Sequence, residues 1–101
     1  MVDLKLVNKG KEGEILMQGG LDAACAGQVE KVVMDVADKF DNITLNMSGL
    51  DYMSSAGLRF LRALQVKMTQ KGGRLYVKNP KPAVMEVFEM TGFASFLDFT
   101  H

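Results

Sequence analysis

Leu45-Asn46-Met47-Ser48-Gly49-Leu50-Asp51-Tyr52-Met53-Ser54-Ser55-Ala56-Gly57-Leu58-Arg59-Phe60-Leu61 runs from the end of an expected strand into the first turns of an expected helix. Two adjacent hydroxyls sit where the helix begins. With Ser54 as N-cap, its side-chain oxygen accepts a bond from a first-turn N–H, and Met53 and Leu58 occupy the positions of a hydrophobic staple. Ser55 is then the first helical residue, beside N–H groups without partners and the positive end of the helix dipole, where an added phosphate is electrostatically welcome. Gly57 keeps the local surface bare. Capping alone does not demand a regulatory serine, because Ser-Ser before an apolar helix is an ordinary way to start one.

Upstream, Asp41-Asn42 marks a turn, and Ile43 to Met47 reads as a short strand feeding the quoted stretch. Before that turn, Cys25, Val29, Val32, Val33, Val36 and Phe40 recur at helical spacing with Lys31, Asp35 and Asp38 opposite, which predicts an amphipathic helix from Cys25 to Phe40. Asp22 is its N-cap, a structural role compatible with contact to a partner. Cys25, on the apolar face with no activating neighbour in view, reads as a small buried hydrophobe. At the start, Val2, Leu4 and Leu6 alternate with Asp3, Lys5 and Val7, a period suited to a strand with one buried face. Residues 8–13 turn, Glu14 to Gln18 return as a second strand to make a hairpin, and Gly19-Gly20 reads as a turn.

Downstream, the helix from Ser55 to about Lys71 places Phe60, Leu61, Leu64 and Met68 on one face and Arg59, Arg62, Thr69 and Gln70 away from it. Gly72-Gly73 ends it with a left-handed residue. Arg74 to Lys78 is a strand, and Asn79-Pro80-Lys81-Pro82 a rigid turn. A third helix, starting at Pro82 or Ala83, buries Val84, Val87 and Phe88. Thr91-Gly92-Phe93 closes it, and Phe96 to Phe99 is an edge strand or an extended tail. Strand, helix, strand, helix is the order of an α/β unit with a parallel pair, so the fold class is α/β, a small mixed sheet with helices packed against it.

The 101 residues make one domain, 1–101, without repeat or linker. Twelve basic and 12 acidic residues cancel, removing the long-range field that gathers nucleic acid or anionic membrane. Cys25 is the only cysteine, so no intrachain disulfide forms, and with His101 it is too little for a Cys/His metal site. No apolar run approaches the roughly 20 residues that span a bilayer, and no signal-peptide block opens the chain. The expectation is a cytoplasmic protein that neither binds nucleic acid nor inserts into a membrane. No histidine lies inside the fold, no Walker-type loop is present, and the carboxylates serve as caps or solvated charge, so an enzyme or nucleotide hydrolase is not expected. Met34, Met85 and Met90 fall off the apolar faces of their helices, where methionine suits an adaptable surface.

The string Asn-Met-Ser-Gly-Leu-Asp-Tyr-Met-Ser-Ser-Ala-Gly-Leu, together with Gly19-Gly20-Leu21-Asp22 and the late Thr91-Gly92-Phe93, resembles the STAS domain of bacterial anti-sigma factor antagonists across nearly the whole chain. In that family a strand ending in Asp-Leu-Ser-Gly leads into Asp-Ser-Ser-Gly-Leu, and the first serine after the aspartate is phosphorylated. The resemblance puts that serine on Ser55, with Ser54 the alternative, the second serine on Ala56 and the glycine on Gly57. It also exposes two departures: Ser54 replaces the family's aspartate, and Asn46 replaces the aspartate of the preceding strand.

The resemblance implies a phosphorylation-switched binding module. Unphosphorylated, it captures an anti-sigma factor that is itself a serine kinase and so releases a sigma factor; a serine phosphatase resets it. ATP and Mg²⁺ then belong to the kinase, and this chain needs no cofactor. The expected contact surface is Gly49, Asp51, Met53, Ser54, Gly57 and Arg59, with Asp22 and Phe93 beside it. The alternative is an unphosphorylated STAS scaffold in a larger signalling or membrane-transport assembly.

Overall fold

The computed structural model describes residues 2–100, so His101 lies outside it. The order of elements is β1 (Val2–Lys9), β2 (Glu12–Leu21), α1 (Ala23–Ala37), β3 (Asn42–Met53), α2 (Ser55–Gln70), β4 (Arg74–Lys78), α3 (Pro82–Thr91), a 3₁₀ turn (Phe93–Ser95) and β5 (Asp98–Thr100). The strands form one sheet in the order β1-β2-β3-β4-β5, with β1 antiparallel to β2 and every other pair parallel.

Each parallel step crosses over through one helix, so α1, α2 and α3 all begin at the end of the sheet where β2, β3 and β4 finish. Ile15 pairs with Leu45, Leu45 with Val77, and Val77 with Phe99, which places these residues on a single face of the sheet. The helices cover that face: Val33, Leu61, Leu64 and Phe88 join the same buried cluster, and the Phe88 and Phe99 rings lie 6.2 Å apart. Burying that many aliphatic and aromatic side chains supplies most of the drive to fold, at roughly 1.5–3 kcal/mol each. The other face carries Glu12, Glu14, Thr44, Asn46, Tyr76 and Lys78 in register and is polar.

Several expectations need correction. β3 does not stop at Met47 but continues to Met53, so residues 48–53 are strand rather than loop. Two bulges make this work: Leu16 pairs with Asn46, Gln18 with Gly49 and Gly20 with Tyr52, an extra β3 residue being absorbed at each step. Gly19-Gly20 is accordingly not a turn but part of β2, with Gly19 at φ 102° between the two irregularities. β1 extends to Lys9, and Leu6 is 45% exposed because β1 is the sheet's edge and α1 covers it only in part.

The first helix ends at Ala37, not Phe40. Its buried stripe is Ala26, Val29, Val33 and Ala37, with Val32 48% exposed, since α1 turns that side toward the partly covered β1 edge. Phe40 is buried from the connecting turn. Cys25 is half-buried rather than enclosed. Val87, Met34 and Met85 are half-buried against the core, leaving Met90 as the exposed one of the three methionines. Phe96 lies outside β5, which starts at Asp98 and pairs with β4.

Candidate functional site

Ser54 is the N-cap of α2 at φ −93°, ψ 171°, and its Oγ accepts from the Gly57 N–H at 3.1 Å. Its own N–H donates to the Leu21 carbonyl at 3.0 Å, tying the start of α2 to the end of β2. Asp22, the next residue, caps α1 by accepting from the Cys25 N–H at 3.0 Å. Leu21 and Met53 are register partners, so Asp22 and Ser54 sit side by side and the positive ends of α1 and α2 emerge together.

Ser55 is the first residue of α2 and is exposed, and its hydroxyl has no hydrogen-bond partner among the described residues. No acidic residue occupies the first turn of α2. Arg59, also exposed, follows one turn later at the i+4 spacing that brings side chains together on a helix surface. On the approaching strand, exposed Asp51 pairs with Lys81, the N-cap of α3, and so links the starts of α2 and α3. Gly49 is half-buried at the first bulge, where a Cβ would come within 2.8 Å of Gln18 Cγ.

The structure therefore gathers Asp22, Asp51, Ser54, Ser55 and Arg59 at one end of the molecule. It does not offer Met53 or Gly57 as surface. Met53 is only 4% exposed, its side chain turned inward with Leu58. Gly57 is buried, and a Cβ there would lie 2.5 Å from Met53 Sδ and 3.0 Å from Leu21 Cγ, so this glycine serves a close approach between helix and sheet rather than a bare surface. Phe93 stands apart as well: half-buried, its ring meets that of Phe96 at a 47° tilt with centroids 4.7 Å apart, and the Phe96 ring lies under Arg62 while its carbonyl accepts from Gln65. Those partners place Phe93 near the middle of α2 rather than its first turn.

Two features escaped the sequence reading. Tyr52 is 56% exposed beside Asp51, because the second bulge turns two successive residues outward; the aromatic was visible in the sequence, but nothing marked the bulge. Asn46 donates to Glu14 Oε2 at 3.0 Å and accepts from the Ser48 N–H at 3.0 Å. Glu14, 6% exposed, also accepts from Lys9 at 2.6 Å, and these bonds from Lys9 and then Asn46 hold its carboxyl below the usual carboxylate range despite burial. An aspartate at position 46 would set a second carboxylate against Glu14 in place of a donor.

Among the described residues the strand order runs β1 to β5 without reversal, so the sheet has no topological switch point. No helix among the described residues is long and apolar enough to cross a membrane.

Comparison with known proteins supplies the family. The family model for the STAS domain matches residues 6–101. A curated relative from Bordetella bronchiseptica, "Putative anti-sigma factor antagonist BtrV", is 39% identical over 80 residues, 78% of this chain and 69% of that protein. Among solved structures, the anti-sigma factor antagonist SpoIIAA in its unphosphorylated form superposes with a TM-score of 0.84 at 20% identity, covering 98% of this chain and 89% of that one. The phosphorylated form of SpoIIAA, a Bacillus cell fate determinant, gives 0.76 at 20% identity over 98% and 92% of the two chains. At that identity the structural likeness speaks for the fold.

Proposed function

The chain belongs to the STAS domain family, and from that premise we propose that it is an anti-sigma factor antagonist, a binding module switched by phosphorylation of Ser55. Its partner is an anti-sigma factor with serine kinase activity, which brings ATP and Mg²⁺. The unphosphorylated chain captures that partner and thereby releases a sigma factor, and a serine phosphatase restores the hydroxyl after modification.

The observation that carries this reading is Ser55 itself: exposed, unbonded among the described residues, and standing where two capped helices emerge side by side. Ser54 has a different task. Serine and aspartate are comparable N-caps, so the family's aspartate is replaced here by a residue that keeps the bond to Gly57, and the departure leaves the helix start intact. Phosphate on Ser55 brings roughly −1.5 to −2 charges to the favourable end of the dipole, with Arg59 within one turn, so the helix tolerates it. A partner surface arranged for a neutral hydroxyl does not, because the charge must be desolvated or left facing the wrong groups.

Incubation with the partner kinase and ATP, followed by phosphopeptide mapping, tests the assignment. Phosphate is expected on Ser55. Phosphate confined to Ser54 or Thr91 would overturn it.

A further inference from the structure

The sheet ends at β1, whose outer edge carries no strand, and β1 pairs with β2 without a break from Val2 opposite Gly19 to Lys9 opposite Glu12. No bulge or proline interrupts that edge, and the charges it carries, Asp3, Lys5 and Lys9, are of both signs. Beside it, a groove of about 360 Å³ lined by Val2, Leu4, Val29 and Val32 runs on into a smaller hollow with Leu6 and Val36. Leu6 and Val32 are 45% and 48% exposed there. The opposite side of β1 carries Asp3 and Lys5, neither in an ion pair among the described residues.

We propose that two copies of this chain associate through their β1 edges, antiparallel, in the register that places Leu4 on the two-fold axis. That register sets Asp3 opposite Lys5 of the second copy, twice by symmetry, and sets Val2 opposite Leu6 and Leu4 opposite Leu4 on the side of the groove. The strand is complementary to itself, which is what an isologous interface requires. Neighbouring registers are poorer. A two-fold on Asp3 or on Lys5 faces like charges directly, which is destabilising across strands. A two-fold on Leu6 brings Asn8 opposite Leu4 in the apolar row and needs Lys9, which is already bonded to Glu14 at 2.6 Å. The pairing lies two strands from β3 and so does not use the end of that strand that leads to Ser55.

Sedimentation equilibrium of the full chain, from micromolar to millimolar concentration, tests this, with circular dichroism confirming that each variant is folded. A dimer fraction rising with concentration is expected. Asp3→Lys and Lys5→Asp should each raise the dimer dissociation constant about tenfold, and the double reversal should restore it. Leu6→Lys should leave a monomer; if that variant fails to fold, the charge reversals at exposed positions still decide. A single monomeric species throughout, or a dimer unmoved by any of these changes, overturns the pairing. Weakening by both single reversals without rescue in the double variant overturns the register.

Discussion

At the scale of single residues, the two serines divide the work at the start of α2. Ser54 holds Gly57 N–H and is half-buried, whereas Ser55 faces outward. Ser54→Ala should therefore cost about 1 kcal/mol in a denaturant melt while leaving Ser55 open to the kinase. If that variant keeps full stability but no longer takes up phosphate, the roles are reversed. This division was legible in the sequence because capping chemistry and helical periodicity point to the same boundary. The pairing of Asn46 with Glu14 was not legible, since its partners are 32 residues apart and meet only once β2 and β3 align. Asn46→Asp should cost about 1–3 kcal/mol at neutral pH, because Glu14 loses a donor and gains a like charge. The penalty should shrink in acid as one carboxyl protonates; a pH-independent penalty would point to lost packing instead.

Among elements, α2 was read nearly to the residue, since cap, staple, apolar stripe and terminal glycine agree and Gly72 adopts φ 79°. β3 was read six residues short, from Met47 instead of Met53, because Ser48-Gly49 and Asp51 look like loop chemistry. Bulges let those polar residues remain in the ladder, and a bulge has no sequence signal as strong as a helix cap. The alternation of β1 was legible as strand, but its burial depends on which strand becomes the edge, a property of topology. The junction of β2, β3 and α2 makes a further prediction at Gly57. Alanine there gains helix propensity of about 1 kcal/mol but must displace Met53 or Leu21, at about 1–3 kcal/mol. Gly57→Ala should therefore be less stable by on the order of 1 kcal/mol, read from urea midpoints. A gain in stability would show that the Met53 side chain yields freely.

For the whole molecule, the polar sheet face ties stability to pH through Glu14. Its pKa is depressed in the folded chain, chiefly by the bond from Lys9, so its contribution is fully present above the unfolded value of about 4.3 and fades as pH falls through the folded value. Glu14→Gln should lose some stability at neutral pH and show a shallower decline below about pH 4, measured by urea unfolding across that range. An unchanged acid slope would assign the decline to other carboxylates. The larger claim is that a chain with no net charge is switched by local charge at one exposed hydroxyl. Calorimetry against the partner kinase, with nucleotide present, tests it most directly. Phosphorylated on Ser55, the chain should bind at least about tenfold more weakly than the unmodified chain, roughly 1.4 kcal/mol, while Ser55→Ala binds and resists modification. Equal affinity of the phosphorylated and unmodified chains would contradict the account.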